Sequence, residues 1–215
     1  MFITFEGLDG SGKTTLINML VEYIKENYSN IHYILTREPG GKDIKMAEKI
    51  RQLILSKESE LSPKSEALLY SASRRIHLEK VIWPALKKNN LVLCDRYIDS
   101  FYAYQGFGRD LGIQYVEEIT ELIIEKTYPD ITVFFDINPE ESKKRRLANR
   151  LFDDRMEDES DEFHKKIYLG YQFLIEREPK RFIVVDATKS IEDVFNQMIE
   201  KILSNDKFMD FVNAK

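Results

Sequence analysis

The stretch FEGLDGSGKTT, residues 5–15, decides the fold. Gly7, Gly12, Lys13 and Thr14 spell G-x-x-x-x-G-K-T, set between the apolar run FITFE and the helical pattern KTTLINMLVEYI. A strand, a glycine-rich turn and a helix in that order make a phosphate-binding loop. The glycines let backbone N–H groups converge on phosphate oxygens, and the helix N-terminus adds its dipole. The expected triphosphate-binding segment is Gly7, Leu8, Asp9, Gly10, Ser11, Gly12, Lys13, Thr14 and Thr15. Lys13 is expected on the β- and γ-phosphates and Thr14 on Mg²⁺. Asp9 is the anomaly, an acid inside a loop that holds anions.

Outward from the loop, short apolar runs alternate with long segments of helical period. The runs are Phe2–Glu6, His32–Leu35, Leu91–Asp95, Ile131–Asp136 and Phe182–Asp186. They are continuous rather than alternating, as strands buried on both faces are. Helical patterns lie near 13–28, 43–56, 64–88, 113–126, 139–149, 160–177 and 190–204, and Ser62-Pro63 is a start signal for the third. The expectation is an α/β fold, a five-stranded parallel sheet covered by helices on both faces. One domain over residues 1–215 is expected, with a small mobile lid at about 143–158. Ligands then gather at the carboxyl ends of the strands. The tail NDKFMDFVNAK either docks through Phe208, Met209 and Phe211 or frays.

Composition narrows the classes. Apolar residues make up 43% of 215, enough for a core, and the net charge of −5 counts against a binder of double-stranded nucleic acid. A single cysteine, Cys94, excludes an intrachain disulfide. No apolar run approaches a membrane span, and MFITF is too short for a signal peptide, so a cytoplasmic protein without nucleic-acid or membrane partners is expected. His32, His77 and His164 have no metal-ligand spacing. Neither N-K-x-D nor L-S-G-G-Q is present, so the loop alone does not assign a GTPase switch or an ABC-type ATPase.

Four further motifs follow, two of them at strand ends. LVLCDRYIDSFYAYQG brings Asp95 to a strand terminus, where it can hold Mg²⁺, and Arg96 beside it, suited to a two-pronged grip on phosphate. TREPGG (36–41) is a turn of unusual backbone freedom, whose Glu38–Pro39 bond is open to the cis form. ALLYSASRR sets Tyr70 and Arg74 on one helical face, a plane and a guanidinium that can stack on a base and bond its edge. KKRRLANRLFDDRMED crowds Lys143, Lys144, Arg145, Arg146, Arg150 and Arg155 together in an otherwise acidic chain. That run is either a solvated helix face or a basic flap that closes over triphosphate.

In this order the pieces resemble thymidylate kinase, whose motifs F-E-G-x-[DE]-G-x-G-K-[ST]-T, T-R-E-P-G-G, L-L-[FY]-x-A-x-R, D-R-[YH]-x-x-S-x-x-A-Y-Q and D-R-x-E read here FEGLDGSGKTT, TREPGG, LLYSASR, DRYIDSFYAYQG and DRME. The resemblance implies transfer of phosphate from ATP to dTMP with Mg²⁺, held by Thr14 and Asp95, in a homodimer. It implies catalytic roles for Lys13, Arg96, Arg155 and Asp9, with Asp9 near the acceptor's 3′-hydroxyl and Arg96. It implies Arg37 and Arg96 around the acceptor phosphate, Tyr70 stacked on thymine and Arg74 donating to its O4. Tyr104 then crowds the sugar 2′ position, and Glu38, Pro39, Ser100, Phe101 and Gln105 belong to the substrate pocket. Gly10 stands where some members carry an arginine, so the catalytic arginine is expected from the lid: Arg155 foremost, with Arg146 and Arg150 on ATP.

Several positions depart from the family pattern. Tyr70 replaces a common Phe, Ser73 a common Asp, Lys42 a common Thr, and Phe101 a smaller residue. Two rivals stand beside the kinase. A deoxynucleoside kinase would need a general base for a neutral hydroxyl, and the tryptophan expected soon after its E-P is absent. A P-loop ATPase acting as a switch or partner-binding module accounts for Lys13 but not for Tyr70, Arg74 and Arg96.

Overall fold

Phe2–Glu6 forms β1 and is buried along its whole length, as a strand covered on both faces must be. The computed structural model describes residues 1–41, 44–149, 155–156 and 159–215. Four strands run parallel with β1: β2 (Tyr33–Arg37), β3 (Leu91–Asp95), β4 (Ile131–Asp136) and β5 (Phe182–Asp186). Their order is β2-β3-β1-β4-β5. The chain therefore builds first to one side of β1 and then to the other. The order reverses at β1, and the crevice at its carboxyl end is the site such a sheet offers a ligand.

Four of the five strands lie where the apolar runs put them. The fifth, β2, was expected over 32–35 but runs to Arg37. Its register with β3, Tyr33 opposite Leu91 through Arg37 opposite Asp95, carries the pairing two residues further. The consequence is functional, because Arg37 and Asp95 end level with each other at the crevice.

Helices fill the intervals. α1 (Lys13–Asn27) buries Leu16, Ile17, Leu20, Val21 and Ile24, one face of a helix, and packs on β1 and β3. α2 (Lys45–Leu55) and α3 (Pro63–His77) follow, the latter capped by Ser62 accepting from the Ser65 N–H. The pattern near 64–88 is not one helix. A π turn, Leu78–Ile82, joins α3 to α4 (Trp83–Lys87), whose first turn holds Pro84. A proline has no N–H to give and crowds the carbonyl four residues back, and a wider turn accommodates both. The chain after β3, quoted above only as a motif, is helical too: α5 (Ile98–Phe101) continues into a π segment, Tyr102–Gly108. α6 (Ile113–Ile124), α7 (Pro139–Asn149), α8 (Asp161–Arg177), α9 (Ile191–Leu203) and α10 (Asp206–Asn213) complete the order.

Alternation along β1 divides its side chains between two helical layers. Phe2 meets the Tyr97 ring edge-on at 4.9 Å, the Thr4 hydroxyl bonds that of Thr132 at 2.9 Å, and Glu6 accepts from Tyr171 of α8. Ile3 and Phe5 point the other way, to the face that α1 covers. Among the described residues no helix is long and apolar enough to cross a membrane.

The tail docks. Phe208 of α10 is 2% exposed and meets the Tyr28 ring edge-on at 6.2 Å. Phe208→Ala should therefore lower unfolding stability by about 3 kcal/mol, the cost of emptying a buried aromatic site. Urea titration checks this, and a change below about 0.5 kcal/mol would mean that the tail frays in solution.

Candidate active site

The loop after β1 has the backbone its glycines require. Gly7, Gly10 and Gly12 all have positive φ, and a Cβ on Gly7 would stand 2.7 Å from the Phe135 carbonyl oxygen. Gly12 caps α1 with no side-chain hydrogen bond, so the first N–H groups of α1 remain directed at the crevice. Lys13 folds back over the loop, its Nζ donating to the carbonyls of Gly7 and Leu8, each at 3.0 Å. Burial, then the charge of Arg96, push the Lys13 ammonium down to about 8, against the pull of Asp9, Asp95 and Glu6. Thr14 and Thr15 also border the cavity.

Asp9 bridges two cations. Its Oδ1 accepts from Arg96 Nη2 at 2.6 Å and lies 3.9 Å from Lys13 Nζ, while Oδ2 accepts from the Tyr104 hydroxyl at 3.4 Å. Burial opposes ionisation of Asp9, but Arg96 and Lys13 outweigh it and hold the carboxyl well below its ordinary value. Arg96 has φ of 67°, a conformation that costs a non-glycine residue energy and is held by its surroundings. Those surroundings are a cluster around Glu6. Glu6 accepts from the Tyr97 N–H at 2.8 Å, from Ser100 at 2.5 Å and from Tyr171 at 2.9 Å, and Arg96 Nη1 donates to Ser100 Oγ at 3.0 Å. Burial raises the Glu6 carboxyl, and nearby Asp99 adds to the rise.

A cavity of about 340 Å³ opens beside the loop. Asp9, Lys13 and Thr14 line it together with Tyr70, Arg74 and Phe101, and with Arg37, Glu38, Pro39, Asp95, Arg96, Ser100, Tyr104 and Gln105. Of the predicted substrate-side residues, every one borders this space. Arg74 is 3% exposed, donates from Nε to Glu38 Oε2 at 2.8 Å and from Nη2 to the Tyr97 carbonyl at 3.3 Å. Among the described residues its Nη1 is buried and has no hydrogen-bond partner. The Arg74 guanidinium lies 4.9 Å from the centre of the Phe101 ring, and Tyr70 meets that ring at 6.5 Å and 59°. The Glu38–Pro39 bond is cis. Arg37 pairs with Glu48 of α2 at 2.9 Å.

A metal ion fits the mouth of this cavity. Asp95 Oδ1 is buried without a partner, and the Thr14 side chain is exposed beside it in the lining. No group of three or more His, Cys, Asp or Glu among the described residues could cage an ion alone. Mg²⁺, which keeps waters and binds through one or two protein oxygens plus substrate phosphates, matches that sparse donor set.

The lid arginines separate. α7 lies directly on the loop: Ser142 Oγ donates to the Asp9 carbonyl at 2.7 Å, and a Cβ on Gly10 would meet Ser142, Arg145 and Arg146 within 3.5 Å. Arg146 is close enough to help hold Asp9 ionised. Arg155, the foremost catalytic candidate, does not line the cavity. It donates to the Ile54 carbonyl at 3.0 and 3.2 Å and pairs with Glu66, a carboxylate buried to 1% that is shared with Arg109 at 3.1 Å and Gln105 at 3.0 Å. A buried acid holds that guanidinium more tightly than open water could. Arg150 lies outside the described residues, as do Lys42 and the remaining D-R-M-E residues Asp154 and Glu157.

Several participants carried no local signal. Arg51, Leu55 and Met156 also line the cavity, and Glu66, His77 and Tyr171 support it from behind. Of these, Glu66 sat in the first turn of a helix with a clear start, and Met156 inside the D-R-M-E motif, but neither was singled out.

A parallel sheet with a phosphate-binding loop at its switch point, and a cation-rich second pocket adjoining that loop, defines the class of P-loop nucleotide phosphotransferases. The model of the family described as thymidylate kinase matches residues 5–198. The chain is 59% identical over 208 residues to the thymidylate kinase of Mycoplasmopsis agalactiae, covering 97% of each, and 49% identical to that of Finegoldia magna, covering 93% of this chain and 96% of the relative. The crystal structure of thymidylate kinase from Ehrlichia chaffeensis superposes with a TM-score of 0.75 at 35% identity, covering 94% of this chain and 98% of that one. This chain belongs to the thymidylate kinase family.

Glu66 tests the electrostatics of the site. Burial raises its pKa, but hydrogen bonds and charge from Arg109 and Arg155 prevail and hold it below the ordinary value. Its contribution to stability is therefore present above the unfolded value of 4.5 and is lost as pH falls through the lower folded value. Glu66→Gln leaves Arg155 without its carboxylate and Arg109 with Glu159 alone, and should cost about 1–3 kcal/mol at pH 7. The loss should shrink toward pH 3, which urea unfolding at the two pH values measures.

Proposed function

We infer that this protein transfers the terminal phosphoryl group of ATP to dTMP, with Mg²⁺, yielding ADP and dTDP. The observation that carries it is the single cavity lined both by Lys13, at the open α1 N-terminus, and by Arg74, whose Nη1 is buried without a partner among the described residues. The loop suits a triphosphate, and a buried spare N–H suits an acceptor atom at position 4 of thymine. A free switch ATPase has no use for the second feature.

The roles follow from charge and reach. Backbone N–H groups of residues 7–15 and Lys13 hold the donor phosphates. Arg96, with Arg37, holds the acceptor phosphate, and Asp9 fixes Arg96 while facing the sugar 3′-hydroxyl. Tyr104, in contact with Asp9, crowds the 2′ position. Tyr70 stacks on the base beside Phe101. Thr14 and Asp95 would hold Mg²⁺, which neutralises charge on the β- and γ-oxygens when bound. The acceptor phosphate is already anionic, so no general base is required, and the protein's work is alignment and electrostatic stabilisation. Arg146, on the helix that covers the loop, is the lid arginine best disposed to add charge over the phosphates, and Arg150 follows it on the same segment. Arg155 can join them only by leaving Glu66 and Ile54. Residues 1–215 act as one domain with residues 143–158 as its lid, working as a cytoplasmic homodimer.

Base selection follows from Arg74. Thymine and uracil present an acceptor at position 4, whereas cytosine presents a donor, and a buried donor facing a donor costs about 1–3 kcal/mol for each unsatisfied group. The thymine methyl adds only about 0.8 kcal/mol. ADP release should therefore rank dTMP above dUMP by several-fold and both far above dCMP, with thymidine inert. Turnover of thymidine but not dTMP would make this a nucleoside kinase.

Lys13 gives a pH signature. With its ammonium at about 8 in the free protein, the group is charged below that pH and neutral above it. ATP binding needs it charged, so binding above pH 8 must take up a proton. The Kd for ATP should be flat from pH 6.5 to 7.5 and then rise toward tenfold per pH unit above 8. Calorimetry in buffers of different ionisation enthalpy reads both the Kd and the proton. Lys13→Ala should abolish the dependence and lower kcat by about 10²–10³.

A further inference from the structure

Gln105 lines the same cavity as Tyr70, Arg74 and Phe101, yet its side chain is fixed from behind the cavity wall. Its Nε2 donates to Glu66 Oε1 at 3.0 Å, and both residues are 1% exposed. Two arginines donate to the same carboxylate. Arg109 gives Nε to Oε1 at 3.1 Å and Nη2 to Oε2 at 3.2 Å, and Arg155 gives Nη2 to Oε2. Burial favours the neutral acid, but these two guanidinium groups prevail and keep Glu66 ionised.

The two ends of a glutamine amide are nearly the same shape, so its neighbours decide which way it faces. A carboxylate only accepts. Glu66 therefore draws the NH₂ of Gln105 to itself, and the carbonyl Oε1 is the end left for the cavity. An acceptor in that wall suits a pyrimidine with an N–H at position 3, as thymine and uracil have. Cytosine carries a bare acceptor nitrogen there, and two acceptors would face each other with no proton between them. Were the group behind Gln105 able to donate, the amide could turn over, and the wall would then offer an N–H.

We propose that Glu66 is a positioning residue for base selection: by accepting from the Gln105 amide N–H it turns the Gln105 carbonyl toward the pyrimidine, where an N–H at position 3 is rewarded and a bare nitrogen is not. This rests on the reading that the cavity holds the base of dTMP, and the test separates the two. Selectivity then depends on a carboxylate that does not itself line the cavity, and Arg109 and Arg155 serve it by keeping that carboxylate charged.

The test is kcat/KM for dTMP and dCMP at saturating ATP in wild type, Glu66→Gln, Gln105→Leu, and the double variant Glu66→Gln with Arg109→Met. In Glu66→Gln the new amide keeps its oxygen where Arg109 Nη2 and Arg155 Nη2 both donate, so its NH₂ faces Gln105, which must turn over. The variant should therefore lower kcat/KM for dTMP and raise it for dCMP, narrowing their ratio about tenfold or more, because a matched pair and a mismatched one change places. The KM for ATP should stay within about twofold of wild type. A pocket that is merely loosened would lower both values instead. The double variant removes one acid and one base together and keeps Arg155 to orient the new amide. It should give the same reciprocal change, and it decides the matter alone if Glu66→Gln does not fold. Gln105→Leu should narrow the ratio without raising the value for dCMP. If it does so while both Glu66 variants leave the ratio unchanged, or lower both substrates alike, the role of Glu66 is overturned and Gln105 still reads the base. If Gln105→Leu leaves the ratio unchanged, Gln105 does not face the base and the proposal falls. If wild type turns over dCMP as readily as dTMP, the reading of the cavity itself falls.

Discussion

Burying positive charge at the carboxyl edge of a parallel sheet is the constraint from which the rest of this site follows. Lys13, Arg74 and Arg96 all stand there largely out of water, and an uncompensated buried cation would be too costly to keep. The fold meets each with a carboxylate from a different segment: Asp9 from the loop for Lys13 and Arg96, Glu38 from the turn after β2 for Arg74. Glu66 from α3 does the same for Arg109 and Arg155 at the lid side. Pairing uses up only part of each cation's donor set. An arginine has five N–H donors and a carboxylate claims one or two of them, so a site that is neutral enough to fold still presents donors to an anionic guest. The acid in the phosphate loop is explained in the same way, because Asp9 lowers the cost of holding two cations 3.9 Å or less from one carboxylate oxygen while leaving their outer faces available.

The pairing also ties distant segments to one another. Glu6 ends β1, Ser100 lies in α5 just after β3, and Tyr171 lies on α8; the three meet in one cluster against Arg96. Arg96 keeps its left-handed backbone because Glu6 binds the next N–H, that of Tyr97. Arg96 is thus braced by the central strand and by α8. Arg155 is braced in a parallel manner, with Glu66 linking it to Gln105 in the cavity wall.

The parts of this design that were legible in the sequence are those fixed by local chemistry. The loop glycines, the helix start at Ser62 and four of the five strands each depend on residues a few positions apart, and each lies where its pattern put it; β2, at the sheet edge and only half-buried, is the strand that shifted. Elements were missed where local rules compete. Pro84 interrupts a segment whose apolar period runs on, and the structure resolves the conflict with a π turn that no period announces. Residues 98–108 are buried on most sides, so they show no single apolar stripe, and their helical form comes from packing against α8. The site's contents were legible through motifs, but of its pairings only Asp9 with Arg96 was expected. Glu66 and Arg155 are 89 residues apart, and Glu38 and His77 are 39 apart; nothing in either neighbourhood names the partner. For Arg155 this changed the picture of the site, since a motif position says that an arginine matters without saying which acid holds it.

Ser73 shows how a departure from a family pattern is absorbed. Ser73, where an aspartate is the common residue, faces the turn after β2: its hydroxyl accepts from the Gly40 N–H at 3.2 Å, pinning the segment that carries Glu38. Support for Arg74 comes from Glu38 at Nε and from the Tyr97 carbonyl at Nη2, and Nη1 is left without a partner among the described residues. Phe101 completes the arrangement. Its ring lies against the guanidinium plane at 4.9 Å, a contact that stabilises the charge through the ring face without consuming an N–H. One carboxylate, one carbonyl and one ring face thus hold the Arg74 charge out of water, and they do so without consuming every N–H the guanidinium carries.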